Sequence, residues 1–232
     1  MITAMADTWL LLQSGDNSAA FNMGLDEALL ETIARLNRPL LRFYAWNERA
    51  ATFGYSQRFC ELTAATGLRP LVRRPTGGGL VPHDSDWTYS LFFPPAHSWA
   101  DLPASGSYRR AHEWIGSAFG RMNVETELAL CCRKELPGQC FVGHEKFDLL
   151  WNGRKIAGAA QRRNRCGLLI QGSVQPPPIK LAKADWQHAM CDVAAFDWGV
   201  KWEQFTPDGE LAERAGELAR TKYSLVAYNE RR

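Results

Sequence analysis

The dipeptide Asn152-Gly153 constrains this chain more than any other feature, because it lies between two strand-like runs, residues 147–151 and 155–161. Asn-Gly suits the tight turn whose two central residues both need positive φ, and that turn matches the twist of paired strands. The two runs are therefore predicted to form an antiparallel hairpin. A polar loop then leads to a third run, 167–174, and Pro176-Pro177-Pro178 ends the sheet region because proline cannot donate to a ladder. Further strand-like runs are 10–13, 40–46, 51–55, 71–73 and 87–93, the last with Trp87, Tyr89, Leu91 and Phe93 on one side.

Helical spacing is restricted to a few segments. Phe21, Leu25, Ala28, Leu29 and Ile33 recur at helical intervals over 19–36, with Asp16 or Ser18 as candidate cap. Residues 108–122 carry Ile115, Ala118 and Phe119 as a core stripe, and 182–189 and 209–223 are the remaining helical stretches. Strands outnumber helices and hairpins are prominent, so the expected class is α+β with a mixed sheet rather than a doubly wound parallel one. No repeat, low-complexity stretch or linker breaks the 232 residues, and one domain over 1–232 is expected.

The bulk properties exclude several function classes. A formal net charge of +2 gives no strong polyelectrolyte attraction, so nucleic acid is not expected as a partner. The apolar run at 9–12 has no basic residue before it and is too short for a signal core or a membrane span. A cytoplasmic location follows as the expectation, and Cys60, Cys131, Cys132, Cys140, Cys166 and Cys191 should be thiols. No C-x-x-C pair occurs, Cys131 and Cys132 are adjacent, and Cys140 with His144 supplies only two ligands, so no metal site is expected.

Two segments concentrate chemistry. In Arg73-Arg74-Pro75-Thr76-Gly77-Gly78-Gly79-Leu80-Val81-Pro82-His83-Asp84, three successive glycines weaken the chain unless its backbone needs positive φ or close approach. Their amides can cradle an anion or a carbonyl, and two arginines add positive charge. It is not a Walker loop, since no lysine and hydroxyl follow the glycines. The second segment is Lys155-Ile156-Ala157-Gly158-Ala159-Ala160-Gln161, where small residues leave space around an amine just after the turn. Taken alone, each has a bland reading: a glycine turn, and a surface lysine standing outside the core.

Together with other stretches they resemble the lipoate–protein ligase and octanoyltransferase family, relatives of the biotin protein ligases. The resemblance includes Phe21 through Leu30, Arg42-Phe43-Tyr44-Ala45-Trp46-Asn47, Gly54-Tyr55-Ser56-Gln57, Thr88-Tyr89-Ser90 and Thr221-Lys222-Tyr223, in order along almost the whole chain. It implies a catalytic domain of the biotin/lipoate protein ligase type, with a mixed, largely antiparallel sheet flanked by helices. It also implies a substrate site drawn from Arg73, Arg74, Thr76, Gly77, Gly78, Gly79 and His83 on one segment. Gly158, Ala159, Gln171 and Gly172 would complete that site. The family usually carries a histidine where Gln171 stands here.

Within the family, Gln139-Cys140-Phe141 ahead of Phe147-Asp148-Leu149-Leu150 is similar to the cysteine segment of the octanoyltransferase branch, and no accessory C-terminal domain is expected. That branch implies transfer of octanoyl from acyl carrier protein, through a thioester on Cys140, to a lysine of a lipoyl-carrier protein. The acceptor would be glycine-cleavage H protein or a lipoyl domain of a 2-oxoacid dehydrogenase. A free thiol is only a few per cent thiolate at neutral pH, so a neighbouring Lys155 ammonium would be needed to activate it. Glycine-loop amides would hold the acyl carbonyl. The basic clusters Arg73-Arg74, Arg109-Arg110 and Arg162-Arg163 with Arg165 would dock acidic carriers. A thioester is already activated, so no cofactor is expected. ATP and Mg enter only if the chain is instead a lipoate ligase in which Lys155 binds an acyl-adenylate. A non-catalytic carrier-binding member is the third possibility.

Overall fold

A computed structural model describes residues 7–134 and 143–231. In chain order the elements are β1 (Thr8–Asn17), α1 (Ala19–Leu36), β2 (Leu40–Trp46), β3 (Ala50–Phe53), α2 (Phe59–Leu62), β4 (Leu71–Arg73) and β5 (Val81–His83). Next come β6 (Trp87–Phe93), α3 (Ser98–Asp101), α4 (Ala104–Arg121), β7 (Glu127–Leu128), β8 (Arg133–Lys134), β9 (Gly143–His144) and β10 (Leu149–Trp151). The chain continues through β11 (Arg154–Asn164), β12 (Gly167–Val174), α5 (Lys183–Trp198), β13 (Lys201–Gln204) and α6 (Gly209–Leu218). A π-helical turn, Ala219–Tyr223, and α7 (Val226–Asn229) follow.

Local chemistry sets these boundaries. Of the two candidate caps for α1 it is Ser18 that serves, its side chain accepting the Phe21 amide, and Asn37 at φ 48° stops the helix in the left-handed conformation. The predicted hairpin forms between β10 and β11, with Asn152 at φ 50° and Gly153 at φ 72°. β11 is longer than its apolar pattern predicts, because Arg162, Arg163 and Asn164 continue the ladder opposite Leu169, Leu168 and Gly167. β1 also outruns its predicted core, since parallel neighbours on both sides, β13 and β2, hold its backbone. α5 extends to Trp198, beyond the predicted 189, and ends at Gly199 with φ 69°.

The main sheet runs β13-β1-β2-β6-β12-β11-β10-β7. The β13-β1 and β1-β2 pairs are parallel and the other neighbours antiparallel, which is the expected mixed, largely antiparallel α+β arrangement. A smaller sheet, β4-β3-β5, carries the glycine-rich loop between β4 and β5. Both faces of the main sheet are covered, so its central strands do not alternate apolar with polar residues. Leu10, Leu12, Leu40, Phe92 and Leu169 face α1 and α6, while Leu11, Leu41, Leu91, Phe93 and Ile170 face α4 and α5. The α1–α6 contact is close enough that a Cβ on Gly24 would lie 2.5 Å from the Ala215 carbonyl oxygen. No helix among the described residues is long and apolar enough to cross a membrane.

Tryptophans dominate the α4/α5 side. Trp114 is 1% exposed, meets Trp198 edge-on at 4.9 Å between ring centroids, and donates its indole N–H to the Met190 carbonyl at 2.8 Å. Trp114→Ala is expected to cost about 3–5 kcal/mol through the cavity it leaves. Urea unfolding should show a lower midpoint at an unchanged slope.

Candidate active site

One pocket gathers residues from both sheets and from α1. Met23, Tyr44, Trp46, Thr52, Val81 and Thr88 line it with Arg74, His83, Lys155, Gly158, Ala159, Ala160, Gln171, Gly172 and Ser173. Its empty volume, counted out to the mouth, is about 460 Å³. The ladder explains why distant residues meet here: Gln171 on β12 sits between Ser90 of β6 and Ala160 of β11, and Gly172 between Tyr89 and Ala159. Gly172 allows the close approach of Tyr89, whose ring atoms would lie 2.1–2.2 Å from a Cβ there.

Lys155 does not stand outside the core. Its side chain is 6% exposed and its Nζ lies 2.7 Å from Oδ2 of Asp148, which is 0% exposed. The Glu145 amide donates to that same oxygen at 2.7 Å, and the Tyr108 hydroxyl donates to Oδ1. The register shift between Leu149 and Leu150 accompanies this inward turn of the hairpin. Gly158 permits the packing, since a Cβ there would lie 2.7 Å from both Cε and Nζ of Lys155. Space around the amine is thus supplied by a small neighbour, as the sequence suggests, but the amine is held by a buried carboxylate. Burial, reinforced by the charge of Asp148, pushes the Tyr108 phenol well above its usual range.

Gln171 closes a buried polar chain. Its amide nitrogen donates to Asp26 Oδ2 at 2.7 Å and its carbonyl oxygen accepts from the Thr76 hydroxyl at 2.7 Å. Asp26 also accepts from Arg42 at 2.5 Å and Ser90 at 2.6 Å, and Arg42 reaches the Asn22 side chain at 2.6 Å. Thr76 therefore joins the site as a partner of Gln171 rather than as a lining group.

The adjacent arginines part company, as successive strand residues do. Arg73 is turned away from the pocket, donating to the carbonyls of Tyr55 at 2.8 Å, Gln57 at 2.7 Å and Asn229 at 2.8 Å. Arg74 lines the pocket and donates to the carbonyls of Gly77 at 2.5 Å and Gly79 at 2.8 Å. Gly77, Gly78 and Gly79 are not among the described residues lining the pocket. Gly78, at φ +81°, packs on Gly54, where a Cβ would sit 1.9 Å from the Gly78 carbonyl oxygen. Glycine here answers to backbone crowding and to an arginine that needs carbonyl acceptors.

His83 pairs with Asp86 at 2.9 Å and not with the adjacent Asp84, which meets Arg49 at the surface. Its other nitrogen lies 2.8 Å from the Thr52 hydroxyl, and Trp46 stacks on the ring at 3.8 Å. Arg163 is bound to the Ala100 carbonyl and the Ser107 hydroxyl, both at 2.7 Å, while Arg162 lies over the Tyr55 ring at 5.7 Å. Arg163 is exposed and at the same time tied to the scaffold by these two bonds. Cys140 lies outside the described residues. Sequence reasoning missed Tyr108, Asp148, Asp26 and Asp86. The available signal was that buried cations require anions.

Predictions around Lys155 and Gln171 follow from these contacts. Lys155→Ala should cost about 3 kcal/mol by stranding the Asp148 charge, and Lys155→Met with Asp148→Asn should recover much of it. Thermal melts of the single and double variants would check this. Gln171→His, which retains one donor and one acceptor, should stay within about 1 kcal/mol, whereas Gln171→Leu should cost roughly 2–3 kcal/mol by unpairing Asp26 and Thr76. Urea midpoints measure both.

Comparisons with known proteins agree with the fold. Residues 18–175 match the model of the lipoyl protein ligase A/B catalytic domain. Octanoyltransferase LipM of Staphylococcus epidermidis is 32% identical over 183 residues, spanning 73% of this chain and 66% of its own. Octanoyltransferase LipM of Exiguobacterium sp. is 30% identical over 236 residues, spanning 96% of this chain and 82% of its own. The match covers just under two thirds of the length of several such relatives, 66% for Staphylococcus aureus and 65% for Bacillus subtilis. Among solved structures, lipoate-protein ligase A bound with ATP superimposes with a TM-score of 0.78 at 19% identity, over 97% of this chain and 99% of that one. A bi-partite lipoate protein ligase from Thermoplasma acidophilum, described with its E2 lipoyl domain, gives 0.73 at 19% identity, over 97% and 96%. At such identities these two structures speak for the fold alone. The chain belongs to the lipoyl protein ligase A/B catalytic domain family.

Proposed function

We propose that the protein is an octanoyltransferase, moving octanoyl from acyl carrier protein through a thioester on Cys140 to a lysine of a lipoyl-carrier protein. The observation that carries this reading is a buried ammonium, Lys155, held by Asp148 on the wall of a narrow pocket. The relatives named octanoyltransferase LipM, 30–34% identical, support acyl transfer as the chemistry.

The reaction balances with one shuttled proton. The Cys140 thiolate attacks the carrier thioester, the carbon–sulfur bond to the carrier breaks, and Lys155 gives its proton to the departing thiolate. The acceptor's lysine amine then attacks the acyl-cysteine, an amide forms, the Cys140 thiolate leaves, and Lys155 takes up the amine's proton. Positive charge at Lys155 favours the thiolate at the start and again at the end. Met23, Val81 and Trp46 offer apolar surface to the alkyl tail. Full burial of that tail contributes roughly 5 kcal/mol at about 0.8 kcal/mol per methylene. A thioester substrate requires neither nucleotide nor metal.

Mixing the enzyme with octanoyl-carrier alone should add one octanoyl mass, removable by hydroxylamine and mapped to Cys140. Apo-acceptor should discharge it without ATP, and Cys140→Ala should lose both adduct and turnover. Transfer by Cys140→Ala, or activity only from free acid with ATP, would replace this reading with ligation.

A further inference from the structure

Behind the pocket wall, α4, β6, β10 and β11 pack several titratable groups together, and the reaction above uses only Lys155 among them. Tyr108 and His112 come from α4, Tyr89 from β6, and Asp148 from the turn before β10. Their connections are directional. A carboxylate can only accept, so the Tyr108 hydroxyl donates to Asp148 Oδ1, and its own oxygen takes the Ala159 amide at 3.4 Å. Asp148 Oδ2 receives Lys155 Nζ and the Glu145 amide, each at 2.7 Å. Lys155 is therefore linked through one carboxylate to a phenol on a different helix.

The neighbours leave the charge balance of this cluster simple. His112 lies under the Tyr108 ring at 4.4 Å, its Nδ1 3.0 Å from the Tyr108 carbonyl. Burial pushes its pKa down to about 4, so it is neutral at physiological pH. Burial and the nearby Asp148 charge push the Tyr89 phenol upward, and Tyr108 likewise, so both remain protonated. Among the described residues of the cluster, Asp148 is the anion and Lys155 the cation.

We propose that Tyr108 is a positioning residue that acts through Asp148 to set where the Lys155 ammonium rests and how readily it releases its proton. The proposal rests on the reading of Lys155 as the proton shuttle. The hydroxyl occupies one carboxylate oxygen and drains part of its charge, leaving the other to the lysine. Without it both oxygens turn to the ammonium, which is drawn from the pocket and holds its proton more tightly. Gly158, which lacks the Cβ that would meet Cε and Nζ, leaves room for that shift.

Tyr108→Phe should lower kcat roughly tenfold with little change in KM for octanoyl-carrier. The rising limb of its pH–rate profile should move up by about half a unit. Carbon-13 NMR of lysine side chains reads the Lys155 titration directly, with Lys155→Met giving the assignment, and its midpoint should rise in the variant. Incorporating 3-fluorotyrosine at 108, a more acidic and stronger donor, should move that midpoint the other way. This second variant keeps the hydroxyl and so tests the idea even if Tyr108→Phe folds poorly. A lower melting temperature with unmoved profile and midpoint, or equal midpoints with tyrosine and fluorotyrosine, would reduce Tyr108 to packing. If wild type transfers no octanoate, the shuttle reading fails, while the NMR midpoints still decide the role of Tyr108.

Discussion

The ion pair between Arg42 and Asp26, both side chains 0% exposed, is the interaction on which the other parts of the site depend. A guanidinium and a carboxylate taken fully out of water are stable only when their remaining donors and acceptors are also filled. That requirement draws in Asn22 from α1, Ser14 from β1, Ser90 from β6 and Gln171 from β12. The same pair thus pins the first helix to the sheet and fixes the orientation of the Gln171 amide. Through Thr76 that orientation reaches the start of the glycine loop. Architecture and site geometry share one polar network, and neither can relax without the other.

Gln171 shows how a departure from the family pattern is absorbed. A histidine at this position could give one ring N–H to Asp26 and accept from Thr76 at the other nitrogen. The glutamine amide offers the same pair of functions with opposite ends of one group. What the site requires is a donor facing Asp26 and an acceptor facing Thr76, and two different side chains can meet it.

Much of the fold was legible from local patterns. β12, β6 and α1 have the boundaries their apolar spacing predicts, and the Asn152-Gly153 turn forms as its dihedral preferences require. The pocket was legible in part of its lining but not in its connections. Arg74, His83, Lys155, Gly158, Ala159, Gln171 and Gly172 do converge on one pocket. The burial of Lys155 was hidden, because a lysine two residues after a turn reads as solvated and its counter-ion lies across an irregular register. The partner of His83 is Asp86, three residues on, while the adjacent Asp84 meets Arg49, a choice that chain order alone does not make. Arg73 and Arg74 could have been separated by strand alternation alone, but two of the acceptors of Arg73 lie 155 and 156 residues away and leave no local trace.

Those distant acceptors bear on the order in which the molecule is finished during synthesis. The backbone amide of Arg73 donates to the Asn229 side chain, and its guanidinium to the carbonyls of Tyr228 and Asn229. Arg74, the next residue, lines the pocket. On the ribosome, the sheet and the glycine loop emerge long before residue 229 does. Until then the buried arginine beside the pocket lacks three of its partners, and the strand carrying it has no clasp. The nascent chain can therefore assemble its scaffold early, but Arg73 gains its full set of partners only after residues 228 and 229 have followed it.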